Sequence, residues 1–496
     1  MSNKKRNIKR NNILQVTLGI VIIVLINIIA SFLFTRFDLT AEKRYSLSPA
    51  VKAMLKDLED DVFFRVYLDG DLPSGFRRLS NETKDMLNEF RAYSDHVQFE
   101  FINPSASSNA KERNDTYRLL AEQGLQPTDL RVTRKGEASQ LIIFPGAIVV
   151  YRGRELPVNI LQTQIKGQDP EKVLNKSIQA LEYNLGNAMD KLINTTKPRI
   201  AILEGQGELS HKMTLDLEDI LSEYYTVERI TLNGKINSLT VRLHTDSSGS
   251  PLVNKFKALI IAGPERRFDE KDKFLVDQFI MRGGRVLWMI DPVFAKMDSL
   301  QQTSSTMGLA NDINLDEMLF NYGVRLNKNL VMDISALPIP VKTGQVGDQP
   351  QFDFFPWYYF PLITPAGNHP VVNGLNAVKT EFISSIDTVE APGVKKTVLL
   401  TTSPYSRIAN TPVLIDLEIL RDEPDPRMFN SGPQPVAVLL EGEFTSAYLY
   451  RIPPEIEMNK DLGFREKSKL TRMIVIADGD IAKNQYHITQ KYPLPL

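Results

Sequence analysis

The hydrophobic pattern of the chain opens with one long apolar run. From Ile13 to Phe34 no residue is charged. A helix over this run, at about 1.5 Å per residue, spans roughly 33 Å, which is enough for a hydrocarbon core of about 30 Å. Basic residues precede the run at Lys4, Lys5, Arg6, Lys9 and Arg10. The positive-inside rule therefore predicts a cytoplasmic segment 1–12, a transmembrane helix at 13–34 and a periplasmic body held on the inner membrane.

A cleaved signal peptide is the alternative for this run. Its apolar region would be about 7–15 residues long and would end at a small-residue cleavage site. This run is longer and ends Ser31-Phe32-Leu33-Phe34, so a retained anchor is favoured. Within a membrane complex, the uncharged polar side chains of the helix would contact neighbouring helices. These side chains are Gln15, Thr17, Asn27 and Ser31.

Beyond the anchor, short apolar strands alternate with amphipathic helices. Over residues 35–165 the order is β-α-β-α-β-β, and it closes on a hairpin-like pair at Gln140–Phe144 and Ala147–Tyr151. This order predicts a small membrane-proximal α/β domain, thioredoxin-like in topology. A polar helical pattern over 166–197 predicts a connecting helix.

Residues 198–496 repeat the alternation of strands and helices, and here the loops between them are marked more clearly. Short buried strands at Arg199–Leu203, Ala258–Ala262 and Val286–Ile290 alternate with helices and glycine-bearing loops. This pattern predicts a doubly wound parallel sheet. We expect a helix over Leu315–Tyr322 and a strand over 329–332 to continue this layer. Residues 334–375, rich in proline and aromatic residues, are an insertion in it.

Composition and charge narrow the function. The 496 residues are 42% hydrophobic and 24% charged, with a net charge of −1, which is an ordinary globular balance. This nearly neutral net charge gives no sign of the basic surface that a nucleic-acid-binding protein needs. The chain has no cysteine, which excludes disulfides, thiolate nucleophiles and zinc–thiolate sites.

The glycine pair Gly205 and Gly207 lies where a strand meets a helix, the position from which α/β sheets bind phosphate. The third glycine of that motif is missing, and Glu204 and Glu208 would repel a pyrophosphate, so a tight turn is favoured. His211 follows, but the sequence contains no Gly-x-Ser-x-Gly motif or cysteine nucleophile to accompany it. A surface or capping role is favoured over catalysis.

Three carboxylates follow predicted strands at their carboxyl ends: Asp291, Asp478 and Asp480. They would form a magnesium or polar-ligand site, or they are turn formers and helix caps, which is the favoured interpretation. With Gly205, Gly207 and His211 they define a candidate ligand cleft. No catalytic residue, cofactor or metal is predicted, because the remaining histidines lack zinc-ligand spacing and no Walker A motif is present.

An aromatic cluster is the other unusual feature, because seven of the nine residues from 352 to 360 are aromatic. Either these side chains fill the chain's own core, or they form a loop that docks on a partner. Both alternatives stay open. The cluster comprises Phe352, Phe354, Phe355, Trp357, Tyr358, Tyr359 and Phe360.

The N-terminal third carries a resemblance to a known family. Its stretches read Phe37-Asp38-Leu39-Thr40, Arg44-Tyr45-Ser46-Leu47-Ser48, Val66-Tyr67-Leu68-Asp69-Gly70-Asp71-Leu72-Pro73-Ser74-Gly75-Phe76-Arg77-Arg78-Leu79 and Phe99-Glu100-Phe101-Ile102-Asn103-Pro104. With the basic N-terminus and anchor, the chain resembles the gliding-motility-associated ABC transporter auxiliary (GldG-like) family. The region from Arg199 to Asp291 resembles that family's amidotransferase-like (GIFT-type) α/β domain. The catalytic cysteine of that fold has no counterpart here, so no enzyme activity is implied.

The resemblance implies a non-enzymatic accessory subunit in gliding motility and its associated secretion, with a multi-spanning permease and a cytoplasmic ATPase as partners. Self-association into a homo-oligomer is a further partner hypothesis. The family pattern also implies a second transmembrane helix beyond the region that matches 490–496. A periplasmic solute- or glycan-binding module is the alternative, and a degenerate hydrolase using His211 is the third hypothesis.

Overall fold

The computed structural model describes residues 17, 47–134, 137–162, 169–242, 252–346, 349–373, 375–421, 424–454, 459 and 462–485. The chain divides into two compact units, residues 1–195 and 196–496, and both are mixed α/β. Of the predicted anchor at 13–34, only Thr17 is described, so that prediction and its polar residues Gln15, Asn27 and Ser31 lie outside the described residues. No helix in the described ranges is long and apolar enough to cross a membrane.

The first unit is built on a four-stranded sheet with the order β2-β1-β5-β6. Strand β1 is parallel to β2 and antiparallel to β5, and β5 is antiparallel to β6. Its helices are α1 (Pro49–Lys56), α2 (Ser74–Tyr93), α3 (Ala110–Glu122), α4 (Pro170–Gln179) and α5 (Leu181–Ile193). Its strands are β1 (Val62–Val66), β2 (Val97–Phe101), β3 (Thr128–Arg134), β4 (Glu137–Ile143), β5 (Gly146–Tyr151) and β6 (Arg154–Asn159).

The hairpin predicted from 140–144 and 147–151 is wrong. Strand β4 pairs with β3 in a separate two-stranded sheet, whereas β5 pairs with β1 and β6. Only Phe144 and Pro145 separate the two strands, yet the strands join different sheets, so adjacency in sequence did not give pairing. Helix α1 does begin as expected, because the Ser48 side chain accepts a hydrogen bond from the Val51 N–H and Pro49 occupies the first helical position.

The core of the first unit draws on its last two helices. On β1, Val62, Phe64 and Val66 are fully buried and alternate with partly exposed residues, as expected for one face of a strand. The segment predicted as one connecting helix forms α4 and α5. Leu174, Leu181, Leu185 and Met189 from these helices belong to the same core as β1. The segment therefore packs as part of the first unit.

The second unit contains the largest sheet. Its helices are α6 (Leu215–Ser222), α7 (Glu270–Met281), α8 (Met297–Gln302) and α9 (Asp316–Tyr322). Its strands are β7 (Arg199–Glu204), β8 (Thr226–Thr231), β9 (Thr240–Arg242), β10 (Leu252–Asn254), β11 (Ala258–Ala262), β12 (Arg285–Met289), β13 (Val293–Phe294), β14 (Ser305–Ala310), β15 (Val324–Leu326), β16 (Asn329–Asp333), β17 (Ala336–Val346), β18 (Gln349–Pro365), β19 (Val378–Lys379), β20 (Ile386–Thr388), β21 (Val394–Thr401), β22 (Ser406–Asn410), β23 (Val413–Asp416), β24 (Pro435–Gly442) and β25 (Thr471–Ile476).

The large sheet has a parallel half and an antiparallel half. Strands β8-β7-β11-β12-β25 are mutually parallel and, numbered by their order along the chain, run 2-1-3-4-5. That order is one of the two common arrangements of doubly wound sheets. Beyond β25, the strands β24, β21, β18 and β17 extend the sheet in antiparallel pairs.

Strand β16 departs from the prediction for residues 329–332. It pairs with β22 in a separate two-stranded sheet and does not continue the parallel layer. The strand is buried at every position, so its apolar pattern alone does not distinguish a place in the large sheet from a place beside it. The predicted helix over Leu315–Tyr322 is present as α9.

A buried carboxylate holds together parts of the second unit that are far apart in sequence. Asp277 on α7 accepts hydrogen bonds at one oxygen from Tyr322 Oη (2.7 Å) and Ala447 N (2.8 Å). The other oxygen accepts from Ser446 Oγ (2.7 Å) and Gln278 Nε2 (2.9 Å). Burial raises the pKa of Asp277 although all four hydrogen bonds lower it. These bonds tie α7 to α9 and to the 446–447 loop.

Candidate functional site

The parallel strands bring the predicted cleft residues to one edge of the large sheet. Because β7, β11, β12 and β25 are parallel, the residues that follow them emerge on the same side. A close contact joins two strand ends, where the Gly479 N–H donates to Asp291 Oδ1 at 2.6 Å. A Cβ on Gly479 would lie 2.5 Å from Asp291 Oδ2 and 2.7 Å from Gly263 Cα, so this approach requires glycine.

The glycine loop after β7 is filled by the chain's own groups. The Gln206 carbonyl accepts from Glu265 N at 2.9 Å and Arg266 N at 2.7 Å, and the Gln206 N–H donates to a Glu208 carboxylate oxygen at 2.8 Å. Gly205 and Gly207 have φ of +124° and +82°, which lets the loop curl around that carboxylate. The loop is therefore a tight turn closed by its own glutamate, in agreement with the interpretation favoured from the sequence.

His211 lies in a short 3₁₀ turn after this loop and bonds to a carboxylate. Its Nδ1 is 2.9 Å from Glu218 Oε2, and Glu218 Oε1 accepts from Thr214 Oγ1 at 2.6 Å and Arg229 Nη1 at 2.5 Å. Glu218 and Arg229 are largely buried, whereas the imidazole is 60% exposed. The histidine thus lies at the end of a hydrogen-bond network that connects α6 to β8. None of its contacts with described residues is to a side chain that could act as a nucleophile.

The carboxylates after β12 and β25 form a cluster in which Asp478 is buried and Asp291 and Asp480 are partly exposed. Asp478 is fully buried and accepts from Asp480 N at 2.8 Å and Glu381 N at 3.1 Å. Burial and the neighbouring Asp480 raise the pKa of Asp291 to about 7, and burial and Asp291 raise the pKa of Asp478 as well. Within the described ranges, no group of three or more carboxylates or histidines is arranged to hold a metal ion.

A polar cavity opens beside this cluster. Its volume is about 330 Å³. Two ion pairs lie on its wall, Lys483–Asp480 at 3.0 Å and Lys379–Glu381 at 2.7 Å. Burial lowers the pKa of Lys483, but Asp480, Glu381 and Asp291 together raise it by more, so the lysine stays charged. Because each charge has a partner, the cavity offers hydrogen-bond donors and acceptors without a large net charge.

The aromatic cluster 352–360 divides into two parts along β18. Trp357, Tyr358, Tyr359 and Phe360 are buried in the core of the second unit, with exposed fractions of 0–8%. These four side chains fill the chain's own core, so we do not retain the hypothesis that they form a partner interface. Sequence pattern did not separate them from their neighbours because the whole stretch is aromatic.

The first part of the cluster is on a projecting hairpin formed by β17 and β18. Phe352 and Phe354 are 52% and 69% exposed, and Phe355 is half-buried. Phe354 lies opposite Pro340, and Phe352 lies opposite Lys342. Since directly opposite residues share a face, Phe352, Phe354 and Pro340 form a small apolar surface on this hairpin arm.

A second exposed apolar surface was missed from the sequence. On the three-stranded sheet β13-β14-β23, Phe294 lies opposite Leu309 and Met307 lies opposite Leu414. Their exposed fractions are 45%, 51%, 44% and 59%. We call these four residues the apolar sheet face. The alternation at 307 and 309 was a visible signal, but Leu414 joins it only through strand pairing.

Comparisons with known proteins give the family. A family model described as an ABC-type uncharacterized transport system matches residues 197–496, and one described as a domain of unknown function matches residues 41–150. An uncharacterized protein of Borreliella burgdorferi is 22% identical over 451 residues, covering 89% of this chain and 79% of that protein.

Among solved structures, the N-terminal domain of mmIFT52 aligns over 58% of this chain and 89% of its own, at 12% identity and a TM-score of 0.32. The exo-beta-1,4-mannosidase Op5Man5 from Opitutaceae bacterium strain TAV5 aligns over 81% of this chain and 45% of its own, at 9% identity and a TM-score of 0.18. At these scores neither likeness carries an argument about function.

Proposed function

We propose a function that starts from one premise. This chain belongs to the family described as an ABC-type uncharacterized transport system, and it is an auxiliary protein of such a system. It is a non-enzymatic accessory subunit that binds the permease and envelope partners, in a complex that also contains a cytoplasmic ATPase. Its anchor at 13–34 fixes it in the inner membrane, and both units project into the periplasm. The resemblance at residues 37–104 supports a role in gliding motility and its associated secretion.

The proposed fold assignments suit a scaffold. The order β2-β1-β5-β6, with β5 antiparallel to its neighbours, supports a thioredoxin-like first unit. The parallel order β8-β7-β11-β12-β25 supports an amidotransferase-like second unit. The absence of any cysteine in the sequence, and a His211 bonded to Glu218, support a body without hydrolytic machinery.

One observation carries the proposal, the apolar sheet face of Phe294, Met307, Leu309 and Leu414. Scattered exposed apolar residues are ordinary, but a contiguous exposed patch marks an interaction site. Two cross-strand pairs place these side chains side by side, within the segment that matches the transport family. The hairpin arm with Phe352 and Phe354 offers a second, smaller contact.

The test is co-purification from native membranes in mild detergent. Wild-type chain should bring down a permease and an ATPase, and Leu309→Glu should lose most of both because it places a charge in the contact. Leu470→Glu is the matched control, since Leu470 is 79% exposed and lies outside the face. If wild-type chain brings down neither partner, the accessory role is wrong. If the two variants behave alike, the role stands but the face is not its interface.

The polar cavity favours a second candidate, a solute- or glycan-binding module of the same transporter. Its paired charges at Lys483–Asp480 and Lys379–Glu381 suit a neutral polar ligand. Thermal-shift screening of sugars and short peptides tests it. A ligand that stabilises wild-type chain but not Lys483→Met would support this function, and a screen without any shift would remove it.

A further inference from the structure

The first unit contains a separate cavity at the carboxyl ends of β1 and β2. Its volume is about 180 Å³. It lies between the loop after β1, the loop after β2 and the last residues of β4. The lining combines acidic and polar residues, which are Tyr67, Asp69, Asp71, Asn103 and Ser105, with apolar residues, which are Leu72, Pro104, Leu141, Ile142 and Ile143.

The two loops that form this cavity are held in place by specific contacts. A Cβ on Gly70 would lie 2.7 Å from Asn103 Nδ2, so the loop after β1 approaches Asn103 only because residue 70 is glycine, at φ +107°. Asn103 Oδ1 accepts from Ser105 N at 2.9 Å. At the start of the first loop, Ser80 Oγ donates to the Leu68 carbonyl at 2.7 Å. These contacts therefore fix the backbone of the two loops that line the cavity.

The polar side of the cavity has unused acceptors. Asp69 is exposed at the rim and forms no hydrogen bond or ion pair with another described residue. Tyr67 as a whole is only 9% exposed, and its hydroxyl likewise has no hydrogen-bond partner among the described residues. Because Tyr67 lines the cavity, this hydroxyl is available for a hydrogen bond with a bound polar group.

The nearby cations do not neutralise Asp69. Arg65 forms an ion pair with Glu155, with 2.6 Å between Nη2 and Oε1. Arg77 donates to the Leu72 carbonyl at 3.1 Å and lies 3.9 Å from Asp71. Burial raises the pKa of Tyr67, although Arg65 opposes it, so the hydroxyl stays neutral at physiological pH. The rim thus keeps a net negative charge.

We propose that this cavity binds an alkylammonium or alkylguanidinium group, with the cation at Asp69 and the Tyr67 hydroxyl and its alkyl stem against Leu72, Pro104 and Leu141. A divalent metal ion fits less well, because no group of three or more carboxylates or histidines among the described residues is arranged to hold one. A lysine or arginine side chain of a peptide has this chemistry, and so does a free polyamine. The apolar wall complements the stem, as it does wherever a long basic side chain lies along apolar surface.

Isothermal titration of the full-length protein in detergent tests the proposal. The probes are N-acetyl-lysine amide, putrescine and, as the uncharged control, N-acetyl-norleucine amide. Wild-type chain should bind a cationic probe, bind it more weakly as NaCl is raised, and not bind the norleucine control. Stronger binding of the lysine amide would identify a peptide side chain, and stronger binding of putrescine would identify a free amine.

Three variants place the site. Asp69→Asn should weaken binding about tenfold or more, because it removes a charge-assisted hydrogen bond. Asp85→Asn, an exposed carboxylate on α2 outside the cavity, should leave binding unchanged. Tyr67→Phe keeps the ring and removes only the hydroxyl, so it should weaken binding without changing the fold. If wild-type chain binds neither cation, or if Asp69→Asn binds as well as Asp85→Asn, the proposal is wrong.

Discussion

Replacing Asp291 by asparagine should remove part of the pH dependence of the second unit's stability. Asp291 lies at the end of β12, where burial and Asp480 oppose its ionisation more strongly than Gly479 N, Lys483 and Lys296 support it. Asparagine keeps an oxygen that accepts the 2.6 Å hydrogen bond from Gly479 N. The substitution therefore removes the charge and leaves the contact in place.

The magnitude follows from the pKa of Asp291, which rises from 3.8 to about 7 on folding. Below pH 3.8 both states hold the proton, and between the two values only the folded state does. Unfolding then releases a proton, so stability falls as the pH rises. At about 1.36 kcal/mol per pH unit, the free energy of unfolding falls by on the order of 3 kcal/mol between pH 5 and 7. Above about pH 7 the carboxylate is ionised in both states, so the free energy falls no further.

Urea unfolding of the full-length protein at a series of pH values between 5 and 8 measures this effect. The free energy of unfolding of Asp291→Asn should exceed that of wild type by an amount that grows with pH and levels off near pH 7. Asp219→Asn is the control, because Asp219 is an exposed carboxylate on α6. Parallel pH profiles for wild type and Asp291→Asn would refute the reasoning, as would an equal effect from the control.

Three further substitutions test the fold by urea or thermal unfolding. Gly479→Ala should lower the free energy of unfolding by about 1–3 kcal/mol, because its Cβ would lie 2.5 Å from a carboxylate oxygen. Its control, Gly367→Ala, should leave the free energy of unfolding nearly unchanged, because nothing lies within 4 Å of the added Cβ. Asp277→Ala should cost about 3–5 kcal/mol by stranding its buried donors, and a loss below about 1 kcal/mol would contradict that network. Trp357→Ala should cost about 3–5 kcal/mol, whereas the exposed Phe354→Ala should change stability by less than about 0.5 kcal/mol; equal effects would refute the division of the aromatic cluster.

Much of the second unit could be predicted because its local signals agree with its tertiary structure. The parallel strands end in loops with glycine or aspartate, and neighbouring parallel strands place such loops at one edge of the sheet. The strand pattern alone therefore predicts Asp291 near the 478–480 turn, and the hydrogen bond from Gly479 N joins them. The first unit was less predictable. Strands β4 and β5 follow each other through a two-residue turn yet join different sheets, and sequence spacing does not encode that choice.

The sequence by itself determined the alternation of strands and helices, the lack of thiol chemistry and the positions of the strand-end carboxylates, because these depend on side-chain type and local period. Only the tertiary structure decided which of the residues 352–360 are buried, and that the Glu208 carboxylate accepts the Gln206 N–H within loop 205–208. It also decided that Leu414 completes an apolar face with Met307. These outcomes depend on pairing between distant segments, and the free energy of such contacts is absent from any local pattern.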